Sequence, residues 1–320
     1  MSKPTVLLPA QMPALVIEQL AARYELVELA TAENPDKELS DCADRVRAIA
    51  TQGTAIDRAF MQALPNLQIV ANFGVGYDKV DAKAAADLGI IVTNTPDVLN
   101  AEVADTTIAL LLMTVRQLPQ ADQHVRKGLW PAQSFPLTPS SLQGRSIGIV
   151  GMGRIGEAIA HRLESFGVAI SYHARNCRDH LSYPYFSDIV ALASAVDTLV
   201  VIVPGGTATH HMINKEVLEA LGKNGILINV ARGSVVDEQA LIQALENKVI
   251  YSAGLDVFEN EPAVPQALID MEHVVLLPHV GSASEPTRNA MSQLVVDNVV
   301  AWLENGTAIT PVAETPLSGS

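Results

Sequence analysis

The segment "SIGIVGMGRIGEAIAHRLESFGVAI", residues 146–170, does most to limit what this chain can fold into. An apolar run, "SIGIV", ends at Gly151. Gly151, Gly153 and Gly156 follow in G-x-G-x-x-G spacing, after which Ile155, Ile159, Leu163 and Phe166 recur on one helical face. A second strand-like run, "VAISY", comes next. The glycine spacing alone is a weak signal. Set between a strand and a helix, it marks the first βαβ unit of a doubly wound parallel sheet. Gly151 then permits a tight turn, Gly153 lets a pyrophosphate approach the backbone, and Gly156 lets helix pack on strand. The helix N-terminus adds free N–H groups and the positive end of its dipole. Together these features point to a bound dinucleotide.

The second strand ends in "SYHARNC" rather than in an acid. A carboxylate there accepts hydrogen bonds from a ribose 2′-hydroxyl and repels a 2′-phosphate; a guanidinium does the reverse. On the residues alone, Arg175 is either a 2′-phosphate ligand or a surface arginine paired with Asp179 or solvent. Arg154, inside the turn, can reach the same phosphate or stack on adenine, and Asn176 can donate a further hydrogen bond. His173 either lies along the adenosine or ends the strand. The expected cofactor is NADPH.

Strands and helices alternate along the rest of the chain. "TVLLP", "ELVEL", "VRAIAT", "LQIVANF" and "IIVTN" read as strands, with "PALVIEQLAARY", "DRAFMQAL" and "DKVDAKAAADLG" as helices. "NTPDVLNAEVADTTIALLLMTVRQL" opens with turn residues and continues as a long apolar helix, a pattern expected at a domain junction or oligomer interface. "KGLWPAQSFPLTPSSLQG" reads as a loop. "SIGIV", "VAISY", "DTLVVIV", "GILINV", "YSAGLDV" and "HVVLLP" make a second parallel series. "EPTRNAMSQLVVDNVVAWLENG" reads as a closing amphipathic helix that returns to the first domain, and the tail "TPLSGS" as frayed. The expected division is a discontinuous substrate-binding domain, residues 1–98 and 286–320, and a dinucleotide-binding domain, residues 99–285.

Polar residues cluster just past strands of the second series, where doubly wound folds bind ligands. "INVARGSVVDE" supplies Arg232, "GLDVFENEP" supplies Asp256 and Glu261, and "VVLLPHVGSAS" supplies His279. Reduction of a 2-keto acid needs a cation for the carboxylate, a proton donor for the carbonyl oxygen and a hydride source. Arginine binds carboxylates in bidentate fashion and stays charged. Histidine moves a proton near neutral pH, and a neighbouring carboxylate orients its ring. Each residue also has a plainer use: a salt bridge for Arg232, a turn cap at Pro262 for Glu261, a satisfied semi-buried ring for His279.

The chain resembles the D-isomer-specific 2-hydroxyacid dehydrogenases over nearly its whole length. "GMGRIG", "INVARGSVVDE", "AGLDVFENEP" and "LLPHVGSAS" carry the resemblance, in order and with similar spacing. "FGVGYD", "SYHAR" and "VIVPGG" look most like the branch of NADPH-dependent glyoxylate/hydroxypyruvate reductases. The resemblance implies an α/β chain of two doubly wound parallel-sheet domains, a flavodoxin-like substrate domain and a Rossmann cofactor domain. It makes His279 the acid/base, Glu261 its partner, and Arg232 the ligand of substrate carboxylate and carbonyl. Asp256 is expected near the nicotinamide carboxamide. The N–H groups of Val75 and Gly76, in "NFGVGYDKVD", are expected on the substrate carboxylate. Trp130 matches a tryptophan that reaches a partner subunit's active site, or else it simply anchors a dimer. Met152, Ile155, Val203, Pro204 and Thr209 join the cofactor set, as do Val230, Ala231 and Gly281; Arg232 and His279 also border the cofactor.

Composition excludes several other classes. A formal net charge of −14 with no basic run makes duplex nucleic acid an unlikely partner. Cys42 and Cys177 stand far apart in no metal spacing, so a reduced cytoplasmic protein without metal is expected. "MSKPTVLLPAQMP" is too weakly apolar for a signal peptide, and "TTIALLLMTV" is too short to span a bilayer. The expected partners are a small 2-keto or 2-hydroxy acid and a second copy of the chain. Two other readings remain at this point: a reductase of a larger keto acid such as 2-ketogluconate, and a nucleotide-sensing interaction protein like the corepressors that reuse this fold.

Overall fold

The computed structural model describes residues 3–317. Part of the expected frayed tail, Ser318–Ser320, lies outside the described residues. The chain forms two units, Met1–Leu99 with Ser284–Ser320, and Asn100–Ala283.

The first unit is built on a parallel sheet of β1 (Thr5–Leu8), β2 (Glu25–Glu28), β3 (Val46–Thr51), β4 (Ile69–Asn72) and β5 (Ile91–Thr93). The order β2-β1-β3-β4-β5 is that of flavodoxin-like sheets. β1 and β4 are buried along their whole length, which is why they read as continuous apolar runs rather than alternating ones. A helix at Pro35–Cys42 escaped the sequence reading. Its start is legible, because the Asn34 side chain accepts the Lys37 N–H and proline takes the first position. Its body is polar, and Cys42 is its one buried residue, so it shows no apolar stripe.

The closing helix, Glu285–Asn305, packs on the Ala14–Ala21 helix and on β3 and β4. The amphipathic expectation needs correction here. Its buried face mixes Met291, Val295, Val296 and Val299 with Ser292 and Asn298. Asn298 is a connector rather than an error of patterning: its Oδ1 accepts the N–H groups of Ile309 and Thr310, and its Nδ2 donates to Leu294 O and Thr310 Oγ1.

The second unit holds seven parallel strands: β6 (Ser146–Val150), β7 (Ala169–His173), β8 (Tyr185–Phe186), β9 (Thr198–Val201), β10 (Ile226–Asn229), β11 (Ser252–Leu255) and β12 (Val275–Leu276). Their order is β12-β11-β10-β9-β6-β7-β8, so the winding reverses beside β6, where a doubly wound sheet opens its ligand crevice. Sequence patterning identified six of these strands; β8 is two residues long and offers no alternation to detect.

The apolar helix Asn100–Arg116 packs against the Arg154–Glu164 helix and against β10 and β11. Val103, Ala104, Thr107, Ile108, Leu110, Leu111, Thr114 and Val115 are all buried, and the Thr107 and Thr114 hydroxyls donate to carbonyls one turn back. Gly254 in β11 makes room for it, since a Cβ there would stand 2.4 Å from Thr114 Oγ1. The core of this one unit therefore accounts for the helix's apolarity without a second chain. The helix ends at Gln117, whose φ of 50° breaks the path, and a second helix, Leu118–Arg126, begins there. Among the described residues no helix is long and apolar enough to cross a membrane.

Candidate active site

The glycine turn joins β6 to the Arg154–Glu164 helix. Gly151 has φ +107°, and a Cβ there would lie 2.5 Å from Ile202 O. A Cβ on Gly156 would lie 2.1 Å from Gly151 O. Both positions exclude side chains for packing reasons. Gly153 differs: nothing lies within 4 Å of where its Cβ would be. The helix has no side-chain cap at its N-terminus, leaving its first N–H groups for a ligand. The turn thus fits a pyrophosphate. Met152 and Gly156 are buried, Ile155 is half-buried and Arg154 is exposed. Phe166, expected on the buried helix face, lies beyond the helix end and is 41% exposed.

Arg175 follows β7, is exposed, and makes no hydrogen bond or ion pair among the described residues. The alternative pairing with Asp179 is not formed. Asn176 is also exposed. His173 ends the strand: its Nδ1 lies 2.9 Å from Phe186 O and ties β7 to β8. Sequence reasoning missed Arg178. Its Nε donates to Met152 O at 3.0 Å, inside the glycine turn, and its backbone N–H donates to the Tyr172 hydroxyl at 2.7 Å. A second guanidinium is therefore held against the turn. The spacing gave little warning, because the contact depends on how the loop after β7 folds back.

Arg232, Glu261 and His279 lie just beyond β10, β11 and β12, and the structure brings Glu261 and His279 into contact. Glu261 Oε2 lies 2.7 Å from His279 Nδ1, while Oε1 accepts the Phe258 N–H at 3.0 Å. Glu261 thus serves both as a turn cap and as the partner of the histidine. Burial by itself would raise the Glu261 carboxyl, but hydrogen bonds from His279 and Phe258 and the charges of His279 and Arg232 bring it below its usual range. His279 sits in the left-handed region, φ 54°, which is costly for a residue with a Cβ and marks a position held by its surroundings. The buried Asp256 supplies part of that hold, accepting the N–H groups of Val280 and Gly281. Burial raises the Asp256 carboxyl, and these two donors offset only part of the rise.

Arg232 is half-buried and its Nη1 donates to Ala231 O at 2.8 Å. Its turn is fixed by Asn229, a buried residue not singled out from the sequence. Asn229 Nδ2 donates to Arg232 O and Oδ1 accepts the Ala231 N–H. Gly233 then lies so close to the Phe258 backbone that a Cβ would fall 1.8 Å from its carbonyl carbon. The Arg232 turn and the Glu261 loop are consequently locked together. Val203 and Pro204 follow β9, where the Thr209 hydroxyl donates to Pro204 O at 2.7 Å. Val230 and Ala231 are buried.

In the other unit, the loop after β4 turns its carbonyls inward. Asn72 Nδ2 donates to Gly74 O and Gly76 O, and Asn94 Nδ2 donates to Val75 O. Among the described residues the N–H groups of Val75 and Gly76 have no acceptor. Half-buried N–H groups of this kind suit an anion. Trp130 lies on the loop after the Leu118–Arg126 helix and is 65% exposed.

Comparison with known proteins shows the family. Residues 108–281 match the family described as D-isomer specific 2-hydroxyacid dehydrogenase, NAD binding domain. An NADPH-dependent glyoxylate/hydroxypyruvate reductase from Sinorhizobium meliloti, solved with NADP and malonate, is 55% identical and superposes with a TM-score of 0.94, covering 98% of both chains. Glyoxylate/hydroxypyruvate reductase A HPR2 from Arabidopsis thaliana is 43% identical across 96% of this chain and 98% of its own. A 2-ketogluconate reductase from Gluconobacter oxydans is 38% identical across 97% of this chain and 99% of its own. The chain belongs to the D-isomer-specific 2-hydroxyacid dehydrogenase family.

Proposed function

We propose that this protein reduces small 2-keto acids, glyoxylate and hydroxypyruvate among them, to 2-hydroxy acids at the expense of NADPH. The observation that carries the reading is the joining of His279 to Glu261 at 2.7 Å, at strand ends of the unit that also holds the glycine turn. When bound, NADPH supplies the hydride. Nδ1 of His279 is committed to Glu261, so Nε2 faces the substrate and gives its proton to the carbonyl oxygen as negative charge develops there. Arg232 neutralises the substrate carboxylate and steadies the same oxygen. In the other unit, the Val75 and Gly76 N–H groups, without acceptors among the described residues, suit a carboxylate of the substrate's kind. Asp256, whose oxygens hold the loop of His279, would lie near the nicotinamide carboxamide. Arg175 would pair with the 2′-phosphate, assisted by Arg154 and Asn176, and Val203, Pro204 and Thr209 would border the cofactor.

The unit containing Val75 and Gly76 is read as the substrate domain and the other as the dinucleotide domain. The expected homodimer is supported by the exposed Leu129, Trp130 and Leu137, which are 44%, 65% and 98% exposed and suit burial against a second copy. Sedimentation velocity tests it, and a monomer at assay concentrations excludes it. The two cysteines are free thiols, in keeping with a reducing cytoplasm. The deciding experiment is a panel of keto acids, 2-ketogluconate included, assayed with NADPH and NADH in parallel. Fastest turnover of glyoxylate or hydroxypyruvate with NADPH supports the reading. No oxidation of NADPH with any keto acid rejects it in favour of a nucleotide sensor.

A further inference from the structure

A second group of metal-capable side chains lies apart from the His279–Glu261 pair. The loop after β9 carries "THHMI" and the loop after β11 carries "FENEP". The structure brings His210, His211 and Glu259 together, with one potential ligand atom from each lying within 4.8 Å of the others. His211 Nε2 lies 2.9 Å from Glu259 Oε1. The two imidazoles stack with centroids 3.9 Å apart and planes inclined by 27°. Adjacent residues in an extended chain point their side chains apart. Here His211 adopts φ 50°, and that left-handed turn puts both rings on one side of the loop.

We propose that His210, His211 and Glu259 bind one borderline divalent cation of the zinc type. Two imidazole nitrogens and one carboxylate oxygen are a common zinc donor set, with water completing a tetrahedron. The hard cations Mg²⁺ and Ca²⁺ favour all-oxygen shells, so the nitrogen pair selects against them. Ligands about 2.0–2.1 Å from a tetrahedral zinc stand roughly 3.4 Å from each other. One potential donor from each residue lies within 4.8 Å of the others, and His211 Nε2 and Glu259 Oε1 are 2.9 Å apart, so the three need only small adjustments to share one ion.

The backbone of two of the three residues is already anchored. The His211 N–H donates to Ser234 O at 2.8 Å, and the Glu259 N–H donates to the buried Glu238 carboxylate at 3.3 Å. The pair His211–Glu259 would serve as a plain ion pair between loops. It gives no reason for His210 to stack beside it, since His210 makes no hydrogen bond or ion pair among the described residues. A shared cation accounts for all three. It would tie the loop that holds Thr209 to the loop that holds Glu261.

The test is direct metal binding to the metal-free, full-length protein. Titration with Co²⁺ should develop the intense visible ligand-field absorption of a tetrahedral site. Competition between the protein and a chromophoric chelator should show Zn²⁺ bound at one equivalent per chain. His210→Ala and Glu259→Gln should each weaken Zn²⁺ binding by at least about tenfold, the loss seen even for partners one step removed from a metal. His279→Gln should leave it unchanged, which separates this site from the His279–Glu261 pair. Circular dichroism of each variant confirms folding, and His210 is exposed, so its replacement leaves the core intact. The proposal is overturned if the wild-type chain fails to bind Zn²⁺ at micromolar concentrations, or if His210→Ala keeps wild-type affinity and the Co²⁺ spectrum.

Discussion

Asp256 Oδ2 accepts the backbone N–H of Gly281 at 2.9 Å, and a Cβ on Gly281 would meet that same oxygen at 3.0 Å. Oδ1 takes the Val280 N–H at 2.7 Å. These two bonds fix the residues directly after His279 while His279 itself holds a left-handed φ. Asp256→Asn keeps the shape but offers one acceptor where two donors converge, and its amide N–H₂ would confront an N–H. The expected result is a loss of about 1.5–3 kcal/mol in stability, the range for a hydrogen bond to a charged group. Turnover should fall as the His279 ring loses its placement. Urea unfolding and steady-state kinetics on one preparation check both. Unchanged turnover in a destabilised variant would confine Asp256 to a structural role.

The acid/base assignment makes a sharper kinetic demand. His279→Gln removes the proton donor and should lower kcat by about 10²–10⁴, with KM for the keto acid little changed. Arg232→Ala removes a group that binds the carboxylate in ground and transition states alike, so KM should rise as kcat falls. Near-normal kcat in His279→Gln would end the proton-donor assignment.

Glu261 gives a pH-dependent prediction. Its carboxyl is lowered in the folded chain, although burial alone would raise it. A group lowered by folding stabilises the native state above its unfolded value, and that contribution is lost as pH falls through the folded value. The gap in Tm between the wild type and Glu261→Gln should therefore be widest above the ordinary glutamate value of about 4.3 and should close as pH falls below it. A gap that stays constant across this window would show that packing, not charge, sets the Glu261 contribution.

Arg175 and Arg178 should separate under substitution. Arg175 is exposed and has no partner among the described residues, so Arg175→Ala should leave stability within about 0.5 kcal/mol. It should raise KM for NADPH far more than for NADH. Arg178 instead props the glycine turn through Met152 O, so Arg178→Ala should weaken both cofactors. Parallel titrations of NADPH and NADH distinguish the two patterns. Equal effects on both cofactors in Arg175→Ala would remove it from the 2′-phosphate site.

These pairs also show which parts of the molecule could be read in advance. The β6 turn, the alternation of strands and helices and the residues at the ends of β10, β11 and β12 were legible because each is a local pattern in a repeating βα frame. Arg178 on Met152, Asn229 beneath Arg232, and Glu259 beside His211 were not. Each depends on a loop folding back onto a neighbour, and no periodicity records that. β8 was too short to show alternation, and the Pro35–Cys42 helix too polar to show a stripe. The apolarity of Asn100–Arg116 was visible, but an apolar helix looks the same whether its own core or a second subunit covers it.

Gly153 and Gly156 occupy one turn and should answer to substitution in opposite ways. A Cβ on Gly156 would fall 2.1 Å from Gly151 O, a backbone atom that cannot rotate aside. Gly156→Ala must push the helix off β6, and overpacking of this kind costs about 1–3 kcal/mol. Gly153→Ala meets nothing within 4 Å, and the residue is extended at φ −98° and ψ −166°, a conformation alanine accepts. Its Cβ would instead occupy the space assigned to the pyrophosphate. Gly153→Ala should therefore unfold at the wild-type urea midpoint yet bind NADPH weakly, whereas Gly156→Ala should lose stability even without cofactor. Wild-type NADPH affinity in a well-folded Gly153→Ala would mean that the pyrophosphate does not approach this turn.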